Sequence, residues 1–173
     1  MASELGVQTI QHTNGTDAMT IDSSGRILTP ARPAFMVKWS ATQSGITSAN
    51  DFFRLNFDEE VFDTGNNVSS AAFTTPVAGV YHFDLKQRFD NVGSGFLVLA
   101  LSNHASTAET TSDLYNSSYV INGSPDTSYI TLQTSITIEL PASYVVAPYY
   151  FNSADTNYNL VVSGASFSGF LVG

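Results

Sequence analysis

The sequence is 173 residues long, and its hydrophobic content of 43% is sufficient for one domain with a packed core. Fifteen acidic residues stand against six basic ones, which gives a net charge of −9. This balance argues against nucleic acid and anionic membranes as partners, because both attract basic surfaces. The lack of cysteine excludes disulfides, thiolate chemistry and cysteine-bound zinc.

The sequence also lacks the marks of export and of membrane insertion. Residues 1–11 have neither the basic start nor the apolar run of a signal peptide, and no apolar stretch reaches the length of a transmembrane helix. Charged residues make up only 12% of the chain, so its surface is polar but sparsely charged. That composition favours an exterior-type protein or a component of a large assembly. A cytoplasmic protein of unusual composition is the alternative.

Residues 1–32 differ from the rest of the chain and are predicted to form an extended N-terminal β arm. Asn14-Gly15 and Ser23-Ser24-Gly25 are turn signals. They separate three short extended pieces, residues 7–12, 17–22 and 26–28. Such pieces bury too little surface to stay folded alone, so they need copies of themselves or another protein. A disordered tail is the alternative. The apolar residues predicted to be buried by docking are Val7, Ile10, Met19, Ile21, Ile27 and Leu28.

Residues 33–173 are predicted to form the main domain. Residues 34–41 and 52–57 read as strands, with a polar loop over residues 42–51 and an acidic turn over residues 58–67. Residues 73–89 contain the central strand, which follows a corner formed by Pro76 and Gly79. Apolar and polar side chains then alternate with the period of a half-buried strand: Tyr81, Phe83, Leu85 and Phe89 on one face, and His82, Asp84, Lys86 and Arg88 on the other.

The second half of the chain continues this pattern. Residues 96–101 are continuously apolar, as in a strand buried on both faces, and residues 132–140 alternate. Residues 144–151 contain Pro148, which predicts an edge or bulged strand. Residues 158–162 and 166–172 complete the set. With eight to ten short strands and no amphipathic helix, the sequence predicts an all-β, two-sheet sandwich.

Several strings in residues 34–173 resemble the globular head of complement component 1q, which shares its fold with the tumour necrosis factor ligands. The matching residues are Phe57-x3-Val61, Phe73-x2-Pro76-x2-Gly79-x-Tyr81-x-Phe83 and Ser166-Phe167-Ser168-Gly169-Phe170-Leu171. The sequence departs from the family at Leu140–Tyr144 and at Asn67–Ser70, so loop contacts and calcium sites of other members are not transferred. No collagen-like Gly-X-Y repeat is present.

The resemblance implies a ten-strand jelly roll that assembles as a homotrimer around an apolar sheet. Under this interpretation, Phe35, Trp39, Phe167 and Phe170 contribute to the trimer interface. The N-terminal pattern, with VQTIQHTNGT followed by MTIDSSGRIL, resembles the leading segments of head proteins encoded by phages of aquatic bacteria.

Residues suited to catalysis or metal binding do not form a recognisable pattern. His12, His82 and His104 lie on different elements, and each is interpreted as solvated or satisfied by neighbours. The acidic residues 58–63 with Asn66 and Asn67 offer oxygen ligands for calcium but lack the spacing of a calcium loop. They are interpreted as a solvated turn. We predict no catalytic residue, no cofactor and no metal.

Together these features predict a structural virion protein. In this hypothesis a homotrimeric head decorates or cements a phage capsid, and residues 1–32 attach it to the major capsid protein on the virion surface. The alternative is the head of a tail fibre or spike, contacting tail proteins and recognising a host-surface glycan through residues 102–126. An enzyme such as a depolymerase is a third class, but the sequence contains no motif that supports it.

Overall fold

Strands are the only regular elements in the part of the chain that the computed structural model describes, which comprises residues 5–46, 52–93, 95–103, 114–122, 127–153 and 157–173. Within those ranges no helix is long and apolar enough to cross a membrane. The strands are β1 (Thr9–Gln11), β2 (Asp17–Ile21), β3 (Ile27–Leu28), β4 (Ala34–Lys38), β5 (Gln43–Ile46), β6 (Phe52–Arg54), β7 (Glu59–Asp63), β8 (Val68–Ser69), β9 (Ala72–Thr74), β10 (Gly79–Val92), β11 (Gly95–Ser102), β12 (Leu114–Asn122), β13 (Thr127–Leu140), β14 (Val145–Asn152) and β15 (Tyr158–Leu171).

Twelve of the described strands form a sandwich of two antiparallel sheets. The first sheet has the order β13-β10-β15-β4-β7, with β5 also paired to β15. The second has the order β12-β11-β14-β9-β8, with β6 also paired to β14. The prediction of an all-β sandwich is confirmed, although the strands outnumber the predicted ten because several are only two to four residues long.

The central strand β10 organises the core as its alternation predicts. Tyr81, Phe83, Leu85 and Phe89 are completely buried between the sheets, whereas the residues between His82 and Arg88 that alternate with them lie on the outer face. Antiparallel partners on both sides, β13 and β15, hold β10 in the middle of the first sheet. The packed face of β10 therefore meets the second sheet, and its polar face lies on the outside.

An aromatic cluster joins the two sheets. The ring of Phe35 on β4 stacks on Phe73 on β9, with centroids 4.6 Å apart, and meets Phe167 on β15 edge-on at 4.8 Å. Phe83 on β10 also contacts Phe73, at 5.8 Å. Such ring pairs add specific geometry to the burial of large apolar surfaces. Strands that are far apart in sequence are therefore locked together by these few side chains.

The second sheet contains the continuous apolar run that the sequence predicts to be buried on both faces. Residues 97–102 of β11 are all buried. Leu97 and Leu99 belong to the main core, whereas Val98 and Ala100 form a separate cluster on the outer face of the sheet with Tyr149 and its neighbours. The prediction for this strand is confirmed.

Two segments that the sequence analysis assigns to loops contain strands. The polar loop over residues 42–51 includes β5, which pairs with β15, and the acidic turn over residues 58–67 includes β7, which pairs with β4. Both predictions were wrong because these are short edge strands. Their backbone hydrogen bonds to a buried neighbour compensate for the weak β propensity of glycine and glutamate.

Candidate functional site

The N-terminal strands β1, β2 and β3 form a three-stranded sheet of their own, separate from the sandwich. Ile10 on β1 lies opposite Met19 on β2, and Ile21 lies opposite Ile27 on β3. Because directly opposed residues share a face and Met19 and Ile21 are two positions apart, these four side chains lie on one face of the sheet. We call it the apolar arm face. Leu28 lies opposite Thr20 and therefore on the reverse face.

Local turn chemistry forms this sheet. In the first turn, Gly15 has φ +87°, a left-handed conformation that glycine adopts readily, and its N–H donates to the His12 carbonyl at 2.9 Å. The Asn14 Oδ1 accepts a hydrogen bond from the Thr16 N–H at 3.0 Å. The three pieces predicted from the turn signals are thus the three strands observed.

The second turn is held by Asp22. Its carboxylate accepts hydrogen bonds from the backbone N–H groups of Arg26, at 3.0 Å, and Ser24, at 2.9 Å, and pairs with the Arg26 guanidinium at 2.7 Å. The Arg26 backbone bond is the leading cause of a pKa below the usual value for this carboxyl. Asp22 therefore closes the β2–β3 turn most firmly when it is ionised.

The apolar residues of the arm are incompletely covered. Ile27 is 63% exposed, and Leu28 and Ile10 are about half exposed, while Val7, Met19 and Ile21 are partly buried. A small sheet with an uncovered apolar face fits a surface that is buried on assembly. The assignment of these residues to docking stays a prediction.

The arm joins the sandwich at one corner of the first sheet. The Leu171 N–H donates to the Pro33 carbonyl at 3.0 Å, and the guanidinium of Arg32 donates to the carbonyl of Val172. The start of β4 is therefore fixed beside the end of β15. The arm leaves the domain next to Phe170 and Val172, whose side chains are 46% and 44% exposed.

The four residues predicted for the trimer interface are divided between the interior and the surface. Phe35 and Phe167 are completely buried and Trp39 is 5% exposed, all inside the sandwich of one chain. This corrects the expectation that their side chains contact a neighbouring subunit. Only Phe170 lies on the outer face of the first sheet, where its ring contacts His82 at 5.4 Å.

The outer face of the first sheet has an apolar corner that the sequence analysis missed. Met36 on β4 lies opposite Phe62 on β7, which is 46% exposed, and opposite Ser168 on β15, next to Phe170. We call Met36, Phe62 and Phe170 the apolar corner. No alternation marks residues 59–63, and their acidic composition favoured a turn, so nothing in the sequence indicated this corner.

Polar groups occupy the rest of that outer face. His82 contacts Thr137 Oγ1 through Nδ1 at 2.8 Å and Asp84 Oδ2 through Nε2 at 3.0 Å. The guanidinium of Arg88 lies 4.0 Å from the centroid of the Tyr129 ring, in cation–π geometry. The interpretation of His82 as a histidine satisfied by neighbours is confirmed. His12 accepts a bond from the Asn14 N–H, and His104 lies outside the described residues.

The acidic residues considered for calcium have structural partners. Asp58 accepts hydrogen bonds from Ser40 N–H, at 2.8 Å, and Ser40 Oγ, at 2.7 Å, which lower the pKa of its carboxyl. Asp63 accepts from the Val68 N–H at 2.7 Å, and Glu59 pairs with Lys38 at 3.0 Å. In the described ranges, no three such side chains converge in a manner that could hold a metal ion.

The two antiparallel sheets and their strand order define a jelly-roll sandwich of the complement 1q and tumour necrosis factor type. The globular domain of zebrafish complement 1qA matches with a TM-score of 0.53 and 18% identity, covering 82% of this chain and 98% of that one. Murine APRIL matches with a TM-score of 0.55 and 10% identity, over 82% and 99% of the two chains.

A third similar structure is the Eiger TNF of S. frugiperda, with a TM-score of 0.55, 12% identity and coverage of 82% and 92%. At these identities the likeness establishes the fold, and the jelly-roll prediction is confirmed. Neither a protein-family model nor a curated protein sequence matches the chain.

Proposed function

We propose that this chain is a structural virion protein, a homotrimer of jelly-roll heads that decorates a phage capsid. Residues 1–32 attach it to the major capsid protein. The observation that carries the proposal is a preformed three-stranded arm sheet with uncovered apolar residues, joined to a jelly-roll domain at one fixed corner. A domain that functioned alone would gain nothing from such an appendage.

The difference in charge between the arm and the head supports different roles for these two parts. Residues 1–32 contain three acidic and two basic side chains, a net charge of −1, whereas residues 33–173 contain twelve acidic and four basic ones, a net charge of −8. Contact is therefore easiest through the nearly neutral arm, and the head contributes a hydrophilic outer layer. Single arms bury little surface, so joining three in one trimer strengthens attachment by avidity.

A non-catalytic role agrees with the same observations. The similar structures are a complement domain, murine APRIL and a TNF. Among the described acidic residues, Asp22, Asp58 and Asp63 accept backbone hydrogen bonds, and Glu59 is paired with Lys38. These partners give each of the four carboxylates a role in holding the fold.

The test is to place the protein on the particle that carries it. We expect cryo-electron microscopy to reveal trimeric density at threefold or quasi-threefold positions of the capsid, with residues 1–32 contacting the coat. Capsids lacking the protein should bind the purified full chain, while residues 33–173 alone should not sediment with them.

Density confined to the tail would overturn this proposal and favour the alternative of a fibre or spike head. Glycan arrays would then test residues 102–126, of which residues 104–113 and 123–126 lie outside the described structure. A chain that remains monomeric at all concentrations would contradict both the trimer and the avidity on which attachment depends.

A further inference from the structure

We infer that the apolar arm face is covered by the arms of the two other copies in the trimer, so that three N-terminal sheets pack together below the heads. This inference rests on the homotrimer proposed above. It revises which residues of the arm meet the coat: Ile10, Met19, Ile21 and Ile27 form a surface between copies, and the reverse face, with Leu28, contacts the coat.

The two faces of the arm sheet differ in their apolar content. The register places two directly opposed apolar pairs, Ile10 with Met19 and Ile21 with Ile27, in adjacent rows on one face. The reverse face carries Thr9 opposite Thr20, with Leu28 as its large apolar residue. A sheet with one apolar and one polar face is the pattern for packing against a second layer on one side only.

The second argument is the small size of the apolar arm face. Four side chains bury far less than the roughly 1,200 Å² that a stable interface between independent proteins needs. The face is therefore sufficient only for an occupant that is already held nearby. Two further arms in the same trimer meet that requirement, because the heads fix them at a high effective concentration.

The third argument is the anchoring and charge of the arm. The contacts of Arg32 with Val172, and of Leu171 with Pro33, fix the arm beside the exposed Phe170. The C-terminal end of the arm therefore lies beside Phe170, which belongs to the apolar corner. Residues 1–32 have a net charge of only −1, so three arms repel one another far less than three heads that each carry −8.

The test uses single cysteines, which the natural chain lacks. Met19→Cys places a thiol on the apolar arm face, and Thr20→Cys places one on the reverse face of the same strand. Both positions are partly buried within one chain. In the isolated full-length trimer, with no coat present, we expect maleimide to label Met19→Cys at least about tenfold more slowly than Thr20→Cys.

Equal labelling of the two thiols in a trimer established by native mass spectrometry would overturn the inference and leave the proposed virion function intact. The coat would then be the occupant. A monomer at all concentrations would overturn both, which keeps the two failures distinguishable.

A second measurement tests the same inference without cysteine variants, in case one of them folds poorly. The double variant Ile10→Thr/Ile27→Thr retains β-branched residues on the two edge strands but removes their apolar surface. We expect it to raise the concentration at which trimers dissociate by roughly tenfold or more, as measured by sedimentation. The control, Leu28→Thr on the reverse face, should leave dissociation unchanged. Equal effects of the two changes would contradict the assignment of faces.

Discussion

At the scale of single residues, Gly169 lies where the core leaves no room for a side chain. A Cβ added there would lie 2.5 Å from Phe83 Cδ1, 2.9 Å from the His82 carbonyl oxygen and 2.9 Å from Phe35 Cε1. Gly169→Ala should therefore destabilise the fold by about 1–3 kcal/mol through overpacking. Urea unfolding measures this, with Ser168→Ala on the outer face as the control. Equal stability of the two variants would show that the core relaxes more easily than we expect.

Asp58 links stability to pH. Its hydrogen bonds with Ser40 lower the pKa of the carboxyl from 3.8, so ionised Asp58 stabilises the folded state above that value. This contribution should be lost as the pH falls through the lower, folded-state pKa. Thermal melts of Asp58→Asn should depend less on pH in the acidic range than those of the natural chain. Glu60→Gln is the control, since that carboxyl is not bonded to Ser40, and it should leave the profile near Asp58's transition unchanged.

The residue scale also explains which interface predictions failed. In the string Ser166–Leu171, Phe167 and Phe170 are three positions apart, so a strand must place them on opposite faces. The sequence analysis assigned both to one interface. Phe35 and Trp39 have the same parity as Val37, and all three point inward. Alternation identifies the two faces of a strand, but only the sheet order decides which face another layer covers.

At the scale of elements, a large bulge in β15 interrupts its pairing with β10 in the middle of the first sheet. Lys86 pairs with Ser166 and Arg88 with Val161, so four residues of β15 lie opposite the single residue Gln87. Gln87 is completely buried, and its Oε1 accepts a hydrogen bond from Trp39 Nε1 at 2.8 Å. The Gln87 Nε2 donates to the Arg88 carbonyl at 2.6 Å, so both ends of this buried amide have a partner.

Loss of the hydrogen bond between Gln87 and Trp39 should lower the stability of the domain. Gln87→Met keeps the volume but leaves the Trp39 N–H without its acceptor, which should destabilise the domain by about 1–3 kcal/mol. Because Trp39 is the only tryptophan, a change in native fluorescence should accompany the loss. Gln133→Met on the exposed face of β13 is the matched control. Unaltered stability and emission in Gln87→Met would contradict the proposed role of this hydrogen bond.

Some strands could be predicted from the sequence, and others could not. The alternation in β10 and the apolar run in β11 predicted both strands and their burial, because large side chains carry that signal. The bounds of β5 and β7 could not be found in this way, since both are held by pairing with distant neighbours rather than by their own composition. For the arm, the turn signals Asn14-Gly15 and Ser23-Ser24-Gly25 were sufficient to separate the three strands, because turn chemistry is local, but the role of Asp22 in the second turn was not predicted.

At the scale of the whole molecule, the head should fold without the arm. All residues of the main core lie between Phe35 and Leu171, and the described links across the junction are few. Residues 33–173 alone should show the circular dichroism and cooperative unfolding of the full chain. If this fragment fails to fold, the division between arm and head must be abandoned.

The assembled state should respond to salt in a direction set by net charge. Heads that each carry −8 repel one another, and added salt screens this repulsion while apolar contacts persist. Sedimentation should therefore detect a shift from monomer towards trimer as ionic strength rises. Dissociation by salt would indicate instead that ion pairs hold the copies together.

The position of β15 has a consequence for the order of events during synthesis. It is the last described strand in sequence, yet it lies between β10 and β4 in the middle of the first sheet. Until residues 158–171 leave the ribosome, β10 can pair with β13 and β4 with β7, but these two pairs cannot join into one sheet, and the aromatic cluster lacks Phe167. The domain must therefore close late and all at once, as expected when contacts are distant in sequence. A chain that stops before Tyr158 lacks the strand that completes the first sheet, so we expect it to be degraded instead of folding.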